Sequence, residues 1–202
     1  MKTKVVADIS GLDKHGFGPR LPTFWGTLGF MSLEGMGFVL GAGSFLYLGW
    51  HTPTWSAGAP PQELLWPTLF TAILVLSLIP NFIVTKLAQA QDNDRLKPLM
   101  VLMSVIGLAA VAVRGYEFTQ LNIGWYTNAY GSLLWVLLGL HTTHLVTDLV
   151  DTIVLTVLFF TKHCPTRRFS DADENAMYWN FVVIAWLPLY VLLYWVPRLG
   201  GG

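Results

Sequence analysis

The sequence predicts an all-α integral membrane protein, a bundle of five transmembrane helices. Only 12% of its 202 residues are charged and 53% are hydrophobic, whereas a typical soluble domain carries about 25% charged residues. The apolar residues are grouped into five long runs, each close to the roughly 20 residues that cross a bilayer as a helix. So few charges could not form the polar surface of a soluble domain of this length.

The five apolar runs are separated by polar or turn-rich links. They cover residues 24–50, 64–87, 98–116, 131–161 and 176–197. We expect residues 1–23 to form a cytoplasmic N-terminal arm, because they lack the apolar stretch of a signal peptide. Residues 24–202 are expected to form one five-helix domain, without an internal repeat or a soluble domain.

The positions of Lys and Arg predict the orientation of the helices. Lys and Arg occur in the arm and in the links after the second and fourth runs, and are absent from the other two links. Cytoplasmic segments carry the excess of these residues, so the N-terminus is predicted to be cytoplasmic and the C-terminus outside. Aromatic residues at the predicted outer ends suit an interfacial belt, namely Trp50, Trp55, Trp66, Trp125 and Tyr126.

Composition and motifs argue against several function classes. The formal net charge is zero, which gives no electrostatic reason to expect nucleic acid as a partner. Cys164 is the single cysteine, so neither an internal disulfide nor a thiolate metal cluster is expected. The sequence has no P-loop, no HExxH and no nucleophile elbow. We therefore expect no catalysis by this chain alone and no metal or cofactor bound to it.

Apart from Lys86 at the edge of the second run, seven ionisable residues fall inside the predicted helices or directly at their ends, where each charge costs roughly 2.5–3.5 kcal/mol on insertion scales. They are the candidate residues of a buried polar, proton or lipid network: Glu34, Arg114, Glu117, His141, His144, Asp148 and Asp151. Arg114 and Glu117 are three residues apart and are predicted to form an ion pair. Glu34 is expected to be protonated or to bond to a neighbouring helix.

The fourth helix carries four of these residues on one face. His141, His144, Asp148 and Asp151 fall within an arc of about 80° at helical spacing, and such a stripe should face protein, a cavity or water. A structural hydrogen-bond network is the first interpretation and a proton relay the second. A metal site is the third and is disfavoured, because two His on one helix need further ligands from other helices. A bis-histidine haem with His51 is disfavoured, because His141 should lie about 15 Å below the outer end of its helix.

Four segments in this order resemble subunit III of the haem–copper oxidases, the cytochrome c oxidase family. WGTLGFMSLEGMGFVL is similar to a family helix with an internal glutamate, which corresponds to Glu34. RGYEFTQ and GLHTTHLV are similar to segments whose polar residues correspond to Glu117, His141 and His144. The last run, DENAMYWNFVVIAWLPLYVLLYW, is similar to the family's closing helix. The resemblance covers residues 24–195 and fits the short, five-helix form of the family.

The sequence also departs from the family pattern at several positions. Asn180 and Val183 stand where the family segment has His and Asp, and Arg114 stands in place of a Gln. Asp148 and Asp151 add acidic residues that the usual helix lacks. These differences suggest a divergent branch, so the subunit-III-like accessory protein of a nitric-oxide reductase is an alternative.

The resemblance implies a non-redox subunit of a bacterial terminal oxidase in the inner (plasma) membrane. The expected partners are subunit I, which would be the main contact, subunit II and membrane phospholipid; haem and copper would lie in the partner subunits. It also implies that the chain stabilises the catalytic subunit and supports proton uptake. We expect Glu34, Glu117, His141 and His144 to form the polar interior, with the two aspartates extending it. A stand-alone proton-coupled protein and a membrane metalloenzyme are the rival classes.

Overall fold

The chain forms five long helices, which the computed structural model describes over residues 22–52, 55, 62–161 and 167–199. The predicted arm up to residue 21 and the predicted free Cys164 lie outside the described residues. The helices are α1 (Pro22–His51), α2 (Leu65–Ala90), α3 (Asn93–Thr119), α4 (Ala129–Phe159) and α5 (Arg167–Tyr190), which continues through a π-helix (Val191–Trp195) into a last turn, α6 (Val196–Leu199). The described ranges contain no strand.

All five long helices have the length and composition of membrane spans. The most apolar stretch of each has a mean hydropathy between 1.3 and 2.2, and large apolar side chains cover the outside of the bundle. Leu33, Val39 and Leu40 on α1 are each about 70% exposed, which suits contact with lipid tails or with another membrane subunit. The predicted class, an all-α multi-pass membrane bundle of five helices, is confirmed.

Three helices extend beyond the apolar runs that predicted them. The polar stretch between the second and third runs is mostly helical, because α2 and α3 are joined only by Gln91 and Asp92. Gln91 adopts a left-handed conformation with φ 56°, and the Asp92 side chain caps α3 by accepting from the Arg95 amide at 3.2 Å. Similarly, α5 begins nine residues before its apolar run. Hydropathy therefore locates the membrane-crossing part of a helix and misses its polar end turns.

Consecutive helices run in opposite directions, so the bundle has two distinct ends. Thr23 at the start of α1 bonds to Glu174 at the start of α5 at 2.7 Å, and we call this the proximal end. At the opposite, distal end the rings of Phe118 and Trp135 lie 5.3 Å apart. The aromatic residues predicted to form the outer belt all belong to the distal end.

Helices α2 to α5 close a ring, and α1 lies outside it. α2 contacts α3 and α5, and α4 completes the ring by contacting both, whereas α1 contacts mainly α4 and α5. α1 buries one narrow seam, with Met31, Phe38 and Phe45 spaced seven residues apart. This limited burial leaves much of α1 free to face lipid or a partner, and it leaves open space beside α4.

Small residues let α4 approach its neighbours closely. A Cβ atom at Gly41 would lie 2.6 Å from Leu137, and one at Gly107 would lie 2.7 Å from Leu149. Both leucines belong to α4, so the two glycines set its distance from α1 and α3. Close contact through glycine is a common means of packing helices in membranes.

Side-chain hydrogen bonds hold α2 against α5. Asn81 donates to the Ala176 carbonyl at 2.8 Å and to the Asn180 side chain at 2.9 Å. Two tryptophans of α5 extend the contact, because Trp179 donates to Ser77 and Trp186 donates to the Thr71 hydroxyl, both at 2.8 Å. These bonds satisfy polar groups that lipid could not satisfy.

Replacing Asn81 by Leu should weaken the α2–α5 contact. The change removes two interhelical bonds and leaves the Asn180 side chain without its donor, so we expect a loss of about 1–2 kcal/mol in the free energy of unfolding. Unfolding in mixed micelles with increasing dodecyl sulfate measures it. Ser32→Ala is the control, because Ser32 is exposed and bonds only within α1; equal stability of the two variants would contradict the prediction.

Candidate functional site

The seven predicted polar residues occupy two separate places. Arg114, Glu117 and His141 meet in the distal half of the bundle, in what we call the distal cluster, together with Phe70, Trp186 and Tyr194. Glu34, His144, Asp148 and Asp151 line an open space between α1, α4 and α5, which we call the proximal cleft.

The predicted ion pair is the centre of the distal cluster. Arg114 Nη1 donates to Glu117 Oε2 at 2.8 Å, and the Arg114 side chain is fully buried. Its guanidinium lies between two aromatic faces, 3.7 Å from the Phe70 ring centre and 4.0 Å from that of Trp186. Cation–π contact and the ion pair together offset the cost of burying this charge.

The end of α5 completes the distal cluster. Tyr194, in the π-helix, donates to Glu117 Oε1, and Arg198 donates to the Tyr194 and Gln62 carbonyls. The π-helix begins three residues after Pro188, which lacks the amide for a regular helical bond. Its wider turn shifts the register of the following residues, and the phenol of Tyr194 reaches the glutamate.

His141 belongs to the distal cluster and is held in one orientation. Its Nε2 lies 3.0 Å from the Val182 carbonyl, so this nitrogen carries a proton and donates. The ring lies 4.9 Å from that of Trp186. Phe38 stands between the two histidines of α4, with ring distances of 6.2 Å to His141 and 5.0 Å to His144, and so lies between the distal cluster and the proximal cleft.

A carboxyl–imidazole pair lies at the inner end of the proximal cleft. Glu34 Oε1 is 3.1 Å from His144 Nε2, and its Oε2 accepts from the Tyr178 hydroxyl at 2.8 Å. His144 Nδ1 faces the Leu140 carbonyl at 2.6 Å, so Nδ1 must donate. The contact with Glu34 therefore needs one proton between the partners, which either the imidazole or the carboxyl can hold.

Asp148 lies one turn along α4 from this pair and is only 2% exposed. Its Oδ1 accepts from Asn175 at 3.1 Å, and Asn175 in turn accepts from Thr152 at 3.0 Å. Its Oδ2 has no hydrogen-bond partner among the described residues. Asp151 follows on the same wall and is exposed.

The proximal cleft is large and acidic. Its volume is about 570 Å³, and its walls carry five carboxyl groups, those of Glu34, Asp148, Asp151, Asp171 and Glu174. Among the described residues that line it, none is Lys or Arg. A space of this size can hold several water molecules or a small organic molecule, so protons or cations can reach the carboxyl–imidazole pair.

The sequence predicted the Arg114–Glu117 pair, and it gave an interhelical bond as one of two alternatives for Glu34; both contacts are present. The predicted single polar interior is instead two groups, because His141 turns towards α5 and the distal cluster. Tyr178, Asn175 and Tyr194 were missed. A signal for the first two existed, since Asp171, Asn175 and Tyr178 follow a 4-3 spacing on α5 that matches the stripe on α4.

A metal site was one of the alternatives for the α4 stripe. Within the described ranges, no three His, Cys, Asp or Glu side chains converge closely enough to hold a metal ion. The carboxyl groups are distributed along the cleft, which favours solvent or an extended ligand over a single bare ion.

The sequence of the chain matches a family model over the region that contains most of these residues. The model, described as cytochrome c oxidase subunit III, matches residues 47–198. The chain belongs to the cytochrome c oxidase subunit III family. The match includes the whole distal cluster and the α4 and α5 walls of the proximal cleft, whereas Glu34 on α1 precedes the matched range.

Several similar proteins are named cytochrome c oxidase subunit 3. The one from Synechocystis sp. is 29% identical over 180 residues, covering 81% of this chain and 75% of that protein. The Latimeria chalumnae protein is 29% identical over 144 residues, covering 71% and 54%. The Drosophila yakuba protein is 23% identical over 192 residues, covering 90% and 72%. The match to the Latimeria protein thus takes in about half of that protein's length.

Removing one partner of the buried ion pair in this subunit III chain should be costly. Glu117→Ala leaves Arg114 charged and unpaired, and we expect a loss of about 3–5 kcal/mol in the free energy of unfolding. A double variant, Arg114→Met with Glu117→Leu, should recover most of that loss because no charge remains buried. Unfolding in mixed micelles provides the comparison.

The control for this series is Thr119→Ala, an exposed residue at the end of α3 whose hydroxyl bonds only locally, to the Tyr116 carbonyl and to the adjacent Gln120 side chain. A double variant less stable than Glu117→Ala would show that the pair is worth more than its neutral replacement, against the prediction.

Proposed function

We propose that the chain is a non-redox subunit III of a bacterial haem–copper terminal oxidase, located in the inner (plasma) membrane. It would stabilise the large catalytic subunit, subunit I, which with subunit II would hold the haem and copper. Two observations support this: the family membership, and the wide apolar surface of α1 and of the outer faces of the ring. Such surfaces suit another membrane subunit or bound phospholipid.

We further propose that the proximal end faces the cytoplasm. Lys86, Arg95 and Lys97 lie at this end, at the junction of α2 and α3, in agreement with the positive-inside rule; Arg198, at the distal end, follows the last span. The exposed aromatic residues Trp50, Trp125 and Tyr126 lie at the distal end, where they would form the outer interfacial belt.

In this orientation the proximal cleft would support proton uptake from the cytoplasm. The observation that carries this proposal is the arrangement of Asp151, Asp148 and the Glu34–His144 pair along one open cleft. Over seven residues the α4 wall rises by about 10 Å, from the exposed Asp151 carboxyl group to the Glu34–His144 contact. A cleft lined by one sign of charge raises the local concentration of the opposite charge, including protons.

A nitric-oxide reductase is the second candidate complex. It is suggested by the departures from the family pattern at Arg114, Asp148 and Asp151, which indicate a divergent branch of the family. The proposed role of the chain beside a large haem-containing subunit is the same in both complexes.

The assignment predicts that the chain purifies together with haem. A tagged chain, extracted gently from its native membrane, should show haem absorbance and bring a large multi-helix subunit, identified by mass spectrometry. The haem types and the reactivity of the preparation with oxygen or nitric oxide separate the two candidate complexes. A colourless preparation of the chain alone would overturn the assignment in favour of a stand-alone protein.

Neutralising the two aspartates of α4 should slow proton uptake. In the complex, Asp148→Asn with Asp151→Asn should lower the rate of proton uptake during turnover about tenfold at low ionic strength. The difference should shrink at high salt, because added ions screen the exposed charge. Stopped-flow recording with a pH-sensitive dye measures the rate.

The control is Asp94→Asn, which removes an exposed charge at the same end of the bundle without touching the cleft. Turnover and proton uptake equal to wild type in the double variant would refute the role of the cleft in proton uptake.

A further inference from the structure

Helix α1 is held less firmly than the other four long helices. In its most apolar stretch only 17% of the residues are buried, against 28% to 44% in the others. Lipid tails contact apolar side chains as well as another helix does, so burial of apolar surface holds α1 only weakly. Polar contacts with α4 and α5 therefore carry a large share of its attachment.

The two halves of α1 differ in their packing. In the distal half, Phe45 is buried against the rings of Trp55 and Tyr130, whose centres lie 5.3 and 5.8 Å from its neighbours in this aromatic group. In the proximal half, a Cβ atom at Gly26 or Gly29 would meet no other atom of the described chain within 4 Å, and the proximal cleft opens beside it. α1 can therefore tilt about its distal contacts.

Glu34 makes the polar contacts that join α1 to α4 and α5 inside the membrane. Its Oε1 is 3.1 Å from His144 Nε2 of α4, and its Oε2 accepts from the Tyr178 hydroxyl of α5 at 2.8 Å. Thr23 adds a bond to Glu174 at the exposed proximal end. Glu34 is thus the residue that fastens the proximal half of α1 within the bundle.

The contact between Glu34 and His144 depends on one proton that lies between them. His144 Nδ1 donates to the Leu140 carbonyl at 2.6 Å, so the proton on Nδ1 is not available to Glu34. The shared proton is either an N–H of the imidazolium or an O–H of the carboxyl group. When it leaves, the lone pair of Nε2 faces a carboxylate, and the contact becomes repulsive.

The other ionisable groups around this contact cannot replace the proton. Asp148 and Asp151 of α4 and Asp171 and Glu174 of α5 line the same cleft, and its described lining residues include no Lys or Arg. No basic side chain among them holds the Glu34 carboxylate once the proton is lost. The contact therefore holds below the pH at which the pair loses its proton, and it breaks as the pH rises through that value.

We propose that the Glu34–His144 pair is a proton-dependent latch for the proximal half of α1. With the proton in place, α1 is held against α4 and α5. When the proton leaves, α1 tilts about its distal contacts and the proximal cleft widens. The latch follows from contacts within this chain. Its consequence, that a shortage of protons opens the cleft to water and so to proton entry, rests on the proposed function.

The test measures the position of α1 in the full-length protein with whatever subunits accompany it, in phosphatidylcholine nanodiscs. Spin labels are attached to Trp25→Cys with Val157→Cys at the proximal end, and to Leu40→Cys with Val136→Cys in the distal half, each pair in a Cys164→Ser chain. The four labelled positions are exposed. Double electron–electron resonance gives the distances at about pH 6 and about pH 9, between which imidazole and perturbed carboxyl groups commonly titrate.

We expect the ratio of detached to attached α1, read from the proximal pair, to rise about tenfold from the lower to the higher pH, as one charge-assisted hydrogen bond provides. The distal distance should stay constant. Glu34→Gln should keep α1 attached at both pH values, because its amide donates to His144 Nε2 and its oxygen accepts from Tyr178. Glu34→Leu should leave α1 detached at both.

Asp94→Asn is the control, because it removes an exposed charge at the same end and should keep the wild-type response. His144→Gln gives Glu34 a permanent N–H donor and should also abolish the pH dependence, so a poorly folding Glu34→Gln still leaves a test. A proximal distance that is constant in wild type, or a pH response that persists in either Gln variant, overturns the latch. An equal change in the distal pair does so too, because α1 then leaves the bundle as a whole.

The haem spectrum of the same preparation is scored separately. A pH-dependent α1 in a colourless preparation refutes the oxidase assignment and leaves the latch standing, whereas a pH-independent α1 beside intact haem refutes the latch alone.

Discussion

The constraint on which this structure depends is that a buried arginine must be compensated inside the membrane. Arg114 is fully buried, and its neighbours come from three helices: Phe70 of α2, Glu117 of α3 and Trp186 of α5. The charge therefore fixes the relative positions of these helices at the distal end. The π-helix that follows Pro188 in α5 contributes to this compensation, because it brings the Tyr194 phenol to the second oxygen of the glutamate.

The loose attachment of α1 has the opposite consequence at the proximal end. A seam with one buried residue every seven positions holds α1 to α4 and α5 without filling the space between them. The polar residues of α4 beyond Phe38 consequently face a cleft instead of a packed core. One helix thus carries a histidine in the closed distal cluster and, less than a turn further on, a histidine in an open acidic cleft.

The sequence predicted the features that depend on local spacing. Hydropathy predicted five spans, and the three-residue spacing predicted the Arg114–Glu117 pair. Spacing along one helix did not predict which neighbouring helix each side chain contacts. An arc of about 80° on α4 is wide enough for His141 and His144 to face different partners. The role of Tyr194 depends on a π-helix, which no spacing rule signals. The polar first turns of α5 were missed because hydropathy scores only the apolar part of a helix.

Because the distal cluster and the proximal cleft are separate, substitutions in the two should change different measured properties. The distal cluster is closed to solvent, and its charges are matched within it, so changes there should appear first in the free energy of unfolding. The proximal cleft is open, and Asp148 and Asp151 lie one turn apart on its α4 wall, so neutralising one aspartate removes its repulsion with the other. A cleft variant can therefore be as stable as wild type and still lose function.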